Sequence, residues 1–94
     1  MDIIEKHLEL CKKIHEICVN KNKDYGDSVS DLYKKFGLIS YVIRMNDKMN
    51  RINNLIKQDN LVKDEAIEDT LLDLANYCLL ARASIELDRE CDKE

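Results

Sequence analysis

Residues 64–88 read DEAIEDTLLDLANYCLLARASIELD, the most apolar stretch of the chain and the one that holds its carboxylates in register. Projected at about 100° per residue, Ile67, Leu71, Leu74, Cys78, Ala81 and Ile85 form one continuous apolar stripe. Glu65, Asp69, Asp73 and Asn76 fall on a separate, narrow arc, flanked by Leu72, Ala75 and Leu79 on one side and by Ala66, Tyr77 and Leu80 on the other. A helix that is apolar nearly all round is a buried helix, so the expectation is a central helix with acids lodged between apolar neighbours. A lone buried charge is prohibitively costly, and such acids must be neutralised, paired or bound to a metal. Residue types and spacing leave two readings open: a stripe that faces water or pairs with Lys and Arg of a neighbour, or a metal or ligand site.

Working outward, the composition is that of helices. Hydrophobic residues make up 45% and charged residues 36% of the 94, with no Pro, two Gly, and only four Tyr and one Phe as aromatics, which disfavours strands and tight turns. The expected fold class is all-α, a single domain over residues 1–94, with helices at about 2–22, 31–36, 38–57 and 64–88. A chain this short leaves much of its surface uncovered unless copies associate, so a bundle completed by homo-oligomerisation, as a dimer or tetramer, is expected. The net charge of −4 and pI near 5.2 argue against a general binder of polymeric nucleic acid, which needs a basic field. No apolar run approaches the ~18 residues of a membrane span and the first turn is charged, so no membrane association and a cytoplasmic location are expected. Cys11, Cys18, Cys78 and Cys91 form no CxxC pair, and disulfides are not expected.

Before the decisive helix, Ile4, Leu8, Cys11, Ile14 and Cys18 recur at helical spacing and mark a first amphipathic helix. His7, Cys11, His15 and Cys18 share one face of it, a superficial zinc pattern, although one helix presents only two adjacent ligands to one ion. At residues 21–30, KNKDYGDSVS, the period stops and turn formers take over, with two lysines and a tyrosine beside a glycine. Loops on a rigid scaffold often carry binding groups; the bland alternative is a capped connection in which Tyr25 covers the end of the core. Gly37 is placed to end a short helix as its C′ residue. The next helix has the apolar stripe Leu38, Val42, Met45, Met49, Ile52 and Ile56, and opposite it Arg44, Asp47, Lys48 and Arg51 line up. Such a row is usually a solvated face. Facing the acidic arc of residues 64–88, it would instead supply counter-charges or anion contacts, and three cations with one acid suit a polyphosphate.

Three stretches taken together, KNKDYG at residues 21–26, RMNDKMNRI at 44–52 and DEAIEDTLLDLANY at 64–77, resemble the small phage and bacterial proteins grouped as the first nucleotide-modification-associated domain. That group is distantly similar to the all-α nucleoside triphosphate pyrophosphohydrolases of the MazG and dimeric dUTPase type. The resemblance spans roughly residues 20–85. It implies an oligomeric helical bundle, an acid-lined nucleotide pocket and, as in the active pyrophosphohydrolases, Mg²⁺-dependent cleavage of a nucleoside triphosphate to monophosphate and pyrophosphate. The pattern departs from theirs in one respect. Those enzymes place an E-x-x-E pair on one helix and an E-x-x-D pair on the next; here Glu65-x-x-Glu68 keeps the first spacing, no E-x-x-D follows, and the preceding helix offers only Asp47.

Two functions follow as expectations. The first is an Mg²⁺-dependent pyrophosphohydrolase for a nucleoside triphosphate or modified nucleotide, in phage or prophage nucleotide metabolism. Asp73, Asp69 and Glu65 would be catalytic and, with Asp47, would hold the metal, since Mg²⁺ needs only one or two protein carboxylates beyond phosphate oxygens. Arg44, Lys48 and Arg51 would neutralise the phosphates, Tyr25 would stack on the base, and Lys21, Asn22, Asp24, Gly26, Asn76 and Tyr77 would complete the nucleotide site. The alternative is a non-catalytic binder, a sponge that sequesters a signalling nucleotide at an oligomer interface, in which the cations satisfy the acids without metal.

Overall fold

The computed structural model describes residues 1–25, 28–58 and 63–92, the side chains at 24, 25, 28, 63 and 92 excepted. Among the described residues the chain is all-α, with no strand and four helices: α1 Ile3–Tyr25, α2 Ser28–Phe36, α3 Ile39–Ile56 and α4 Lys63–Asp92. None is long and apolar enough to cross a membrane.

Helix α1 is capped by Asp2, whose carboxylate accepts the Glu5 backbone N–H at 2.8 Å, satisfying one of the orphan donors of the first turn. It runs on through Tyr25, so the segment 21–25, expected to be loop, is helical. Turn-forming side chains only weaken a helix by tenths of a kcal/mol each, and without Pro or Gly before residue 26 nothing there breaks the ladder. For the same reason α2 starts at Ser28 rather than at residue 31. Gly26 and the side chains of Asp24 and Tyr25 lie outside the described residues.

Gly37 ends α2 as expected: its φ is +75°, and its N–H donates to the Tyr33 carbonyl at 2.7 Å. Ser40 closes the corner by donating its backbone N–H and its hydroxyl to the Gly37 carbonyl, at 3.1 and 2.9 Å. The chain thereby enters α3 within two residues. Helix α4 takes in Asp64 within its first turn and extends to Asp92 rather than ending near 88.

Contacts between α3 and α4 run in opposite order along the two helices. Tyr41 meets Ser84 at 2.9 Å, Met45 Sδ lies 3.4 Å from Cys78 Sγ, Lys48 meets Asp73 at 3.3 Å and Arg51 meets Thr70 at 3.2 Å. The pair is therefore an antiparallel hairpin. Helix α1 packs on α4 and α2 on α3, with Tyr33 and Tyr41 rings 5.7 Å apart. Among the described residues, Ile14, Tyr41, Ile52, Ala81 and Thr70 are buried.

Two sequence expectations need correction here. Helix α4 is not buried all round: Leu71, Leu79 and Leu87 are at least half exposed, because neighbours cover only part of its circumference. Glu65 and Asp69 are accordingly exposed and only Asp73 is half-buried. The contact face of α3 is also rotated from the expected stripe. Tyr41, Arg44, Lys48 and Leu55 share it with Met45 and Ile52, while Val42, Met49 and Ile56 are exposed. The cation row thus flanks the helix contact instead of lying opposite it.

Candidate functional site: a cationic cleft beside the helical hairpin

Asp73 sits where α1, α3 and α4 converge. Its Oδ1 meets Lys21 Nζ from α1 and its Oδ2 meets Lys48 Nζ from α3, each at 3.3 Å. A carboxylate that keeps 30% of its side-chain exposure loses part of its hydration, and two ammonium groups on opposite oxygens offset that loss. This is the meeting of basic row and acidic arc that the sequence raised as one of its alternatives. Arg44, one turn before Lys48, lies beside the Tyr77 ring, with Cζ 5.8 Å from the centroid and Nη1 3.5 Å from the phenol oxygen. That is cation–π range. Arg51 donates its Nε–H to the Thr70 hydroxyl, which in turn donates to the Ala66 carbonyl at 2.7 Å. The second bond satisfies the buried Thr70 hydroxyl and anchors the Arg51 stem.

Two cavities adjoin this cluster. One, of about 520 Å³, lies between α1, α2 and the hairpin. Its polar lining is Lys21, Asn22, Ser30, Arg44, Asp73, Asn76, Tyr77 and Ser84, and Cys18, Val29, Tyr41, Leu80, Ala83 and Leu87 line it too. The other, of about 640 Å³, follows α3 past Arg44, Asp47, Lys48 and Arg51 to the carboxamides of Asn50, Asn54 and Gln58. Arg44 and Tyr77 line both, so they form the wall across which a ligand with an apolar body and an anionic tail would lie.

Of the residues singled out from sequence, the structure thus brings together Lys21, Asn22, Arg44, Lys48, Arg51, Asp73, Asn76 and Tyr77, with Asp47 beside the groove. Glu65 and Asp69 line neither cavity. Among the described residues no three of His, Cys, Asp and Glu come together as a metal-holding group. His7 and Cys11 approach to 3.9 Å on the exposed face of α1. Sequence reasoning missed Tyr41, Ser84, Asn50 and Asn54. A findable signal existed for the last two: Asn50 and Asn54 are one turn apart and continue the Asp47–Arg51 side of α3.

Residues 21–87 match the family model described as Nucleotide modification associated domain 1. The matched span begins at Lys21 and takes in every cleft residue named above except Cys18. No curated protein and no solved structure matches the chain.

Proposed function

The chain belongs to the Nucleotide modification associated domain 1 family, and from that premise we propose that it binds a nucleotide, with the phosphates on the α3 cations and the nucleoside in the cavity behind Tyr77. The observation that carries this reading is the shared wall: Arg44 and Tyr77 stand between a partly apolar chamber and a groove lined by Lys48 and Arg51. Nucleotides have that polarity, a flat amphipathic body joined to a multiply charged tail. Arg and Lys at the groove suit phosphate oxygens, Arg as a planar fork and Lys as a point charge. Asn22, Asn76 and Ser84 would read the edges of sugar or base, while Tyr41 and Leu80 supply apolar wall.

Asp73 occupies the lysines when no anion is bound. An incoming phosphate would compete for Lys21 and Lys48, so the carboxylate keeps two cations in place at the cost of some affinity. Hydrolysis is the second reading, and Asp73 is the observation that favours it. Bonded to Lys48 of the phosphate groove, this carboxylate would supply one of the one or two protein ligands that Mg²⁺ takes when it bridges phosphates, and the metal would polarise the phosphoryl group and activate water. Asp69, one turn earlier on α4, or Asp47, on the α3 wall of the groove, would be the second ligand.

Isothermal titration with nucleosides, mono-, di- and triphosphates, with and without Mg²⁺, tests the first reading. Affinity should rise with phosphate number and fall at least about tenfold in Arg44→Ala, the loss expected for one charge-assisted contact. Equal affinity for nucleoside and triphosphate would refute it. Monophosphate and pyrophosphate formation from canonical and modified triphosphates then decides between holding the ligand and cleaving it.

A further inference from the structure

We propose that Thr70 is a positioning residue for the anion site: it holds Arg51 by its Nε, leaving both terminal amino groups of the guanidinium to grip the phosphate farthest from the nucleoside. This rests on the nucleotide reading and adds to it a pair of residues that sorts ligands by phosphate number.

The Thr70 hydroxyl has one hydrogen and two acceptor lone pairs. It donates the hydrogen within α4, to the Ala66 carbonyl at 2.7 Å, the bond from i to i−4 that threonines make inside helices. That bond already satisfies the hydroxyl of a residue only 3% exposed, so Thr70 has no need of Arg51. What it offers its neighbour is an oxygen able only to accept. Arg51, which can only donate, brings its Nε to 3.2 Å from that oxygen. With Nε engaged, the two terminal amino groups remain as a planar fork that can meet two phosphate oxygens side by side.

Arg51 differs from the other cleft cations in what it already holds. Lys21 and Lys48 share the Asp73 carboxylate, and Arg44 lies beside the Tyr77 ring. Among the described residues no carboxylate pairs with Arg51; a neutral hydroxyl orients it and leaves its charge uncompensated. A phosphate reaching Arg51 therefore displaces no acid, whereas one reaching either lysine competes with Asp73. Arg51 follows Arg44 by seven residues of α3, about 10 Å of helical rise. A row of phosphates that starts at the wall of Arg44 and Tyr77 meets Arg51 last, so a monophosphate stops short of it and a triphosphate does not. Because Arg51 is exposed, loss of the anchor would leave its rotamers to be ordered by the ligand, which lowers affinity about two- to tenfold.

Calorimetric titration of inorganic tripolyphosphate, a nucleoside and its mono- and triphosphate into the wild-type chain and its variants tests this, with helix content followed by circular dichroism. Thr70→Val keeps the side-chain shape and the helix ladder and removes the hydroxyl. It should weaken triphosphate and tripolyphosphate about two- to tenfold and leave the monophosphate and nucleoside unchanged, while Thr70→Ser, which keeps the hydroxyl, should restore wild-type binding. Thr70→Ala gives a second hydroxyl-free form and should lose as much as Thr70→Val. In an Arg51→Ala background Thr70→Val should change nothing further, because it acts through Arg51. Triphosphate binding as tight in both hydroxyl-free variants as in the wild type overturns the proposal. So does a loss that persists in the Arg51→Ala background, one shared equally by the monophosphate, or one that Thr70→Ser fails to restore. A wild-type chain that holds nucleoside as tightly as triphosphate removes the nucleotide reading itself and this proposal with it, and that failure shows before any variant is made.

Discussion

Replacing Asp73 by Asn separates the roles open to this carboxylate. In the free protein the change removes two ion pairs, each 3.3 Å long, between Asp73 at 30% side-chain exposure and lysines at 54% and 30%. Partly exposed pairs contribute roughly 0.2–1 kcal/mol each, so Asp73→Asn should lower stability by about 1 kcal/mol, or about 4–8 °C in melting temperature for a domain of this size. Binding should move in the opposite direction. A phosphate oxygen that takes either ammonium at hydrogen-bond distance lies within about 6 Å of the carboxylate. At that separation two negative charges repel by roughly 0.7 kcal/mol in water-like surroundings and by about 3 kcal/mol at an effective dielectric of 20. For a cleft open to solvent the lower part of that range applies, and about 1 kcal/mol corresponds to a fivefold gain in affinity. Titration of a triphosphate in EDTA should therefore show tighter binding by Asp73→Asn than by the wild type, with helix content unchanged by circular dichroism. Weaker binding in EDTA by a variant with native helix content would refute the counter-ion argument. With Mg²⁺ present the hydrolytic reading makes a separate demand: the variant should lose any Mg²⁺-dependent gain in affinity and all turnover, and retained turnover would remove Asp73 from the chemistry.

Arg51→Ala should weaken triphosphate binding about tenfold and nucleoside binding little; equal losses measured by calorimetry would place Arg51 outside the phosphate site. Gly37 holds a left-handed φ of +75° with open space where a Cβ would stand, so Gly37→Ala should cost about 1 kcal/mol of conformational strain and Gly37→Asn less, read as shifts in denaturant midpoint. The Tyr33 hydroxyl donates to Asp88 at 2.7 Å. That bond, with a smaller contribution from burial and from the charge of Asp88, raises the phenol above its ordinary 10.0. The folded chain thus holds this proton more tightly than the unfolded chain does, so the contribution to stability is complete below about pH 10 and is lost as pH climbs through the higher folded value. Denaturant midpoints measured from pH 9 to 11 should show an alkaline decline in the wild type that is shallower in Tyr33→Phe, and parallel declines would discount the bond.

The three long helices were legible from the period of their apolar residues and the short one from the glycine that ends it, and Gly37 was legible as a terminator because few residues besides glycine adopt its φ readily. The segment around residues 21–25 misled for a physical reason. Asn and Asp are enriched in turns, yet each is a tolerable helix residue, and composition alone does not say when the ladder of backbone bonds will carry through. The acidic arc was found, but its setting was read from the assumption that an apolar helix is covered on all sides. Helix α4 has neighbours on part of its circumference, which leaves Glu65 and Asp69 exposed and Asp73 in the cleft. The rotation of α3 was not legible either. Its apolar row and its cation row both border the helix contact, and only the position of Tyr41, 2% exposed against α4, shows how far the helix turns between them.

That rotation accounts for how a chain of net charge −4 keeps a positive concavity. Lys21, Arg44, Lys48 and Arg51 meet Asp47 and Asp73 there, so cations outnumber acids locally although acids prevail over the whole chain. Long basic side chains can stand at the edge of a helix contact because their stems pack while their heads stay wet; Arg44 does so along Tyr77, and Arg51 is tethered at Thr70. A field of this kind acts over a short range, since charges in salt are screened within about 8–10 Å. A polyanion longer than the cleft would run from attraction there into the acidic remainder of the surface, whereas a few phosphates fit wholly within the favourable region. On the proposed reading, selectivity for a small phosphorylated ligand follows from the sign reversal between the cleft and the rest of the chain, and hydrogen bonds to the base act within that choice.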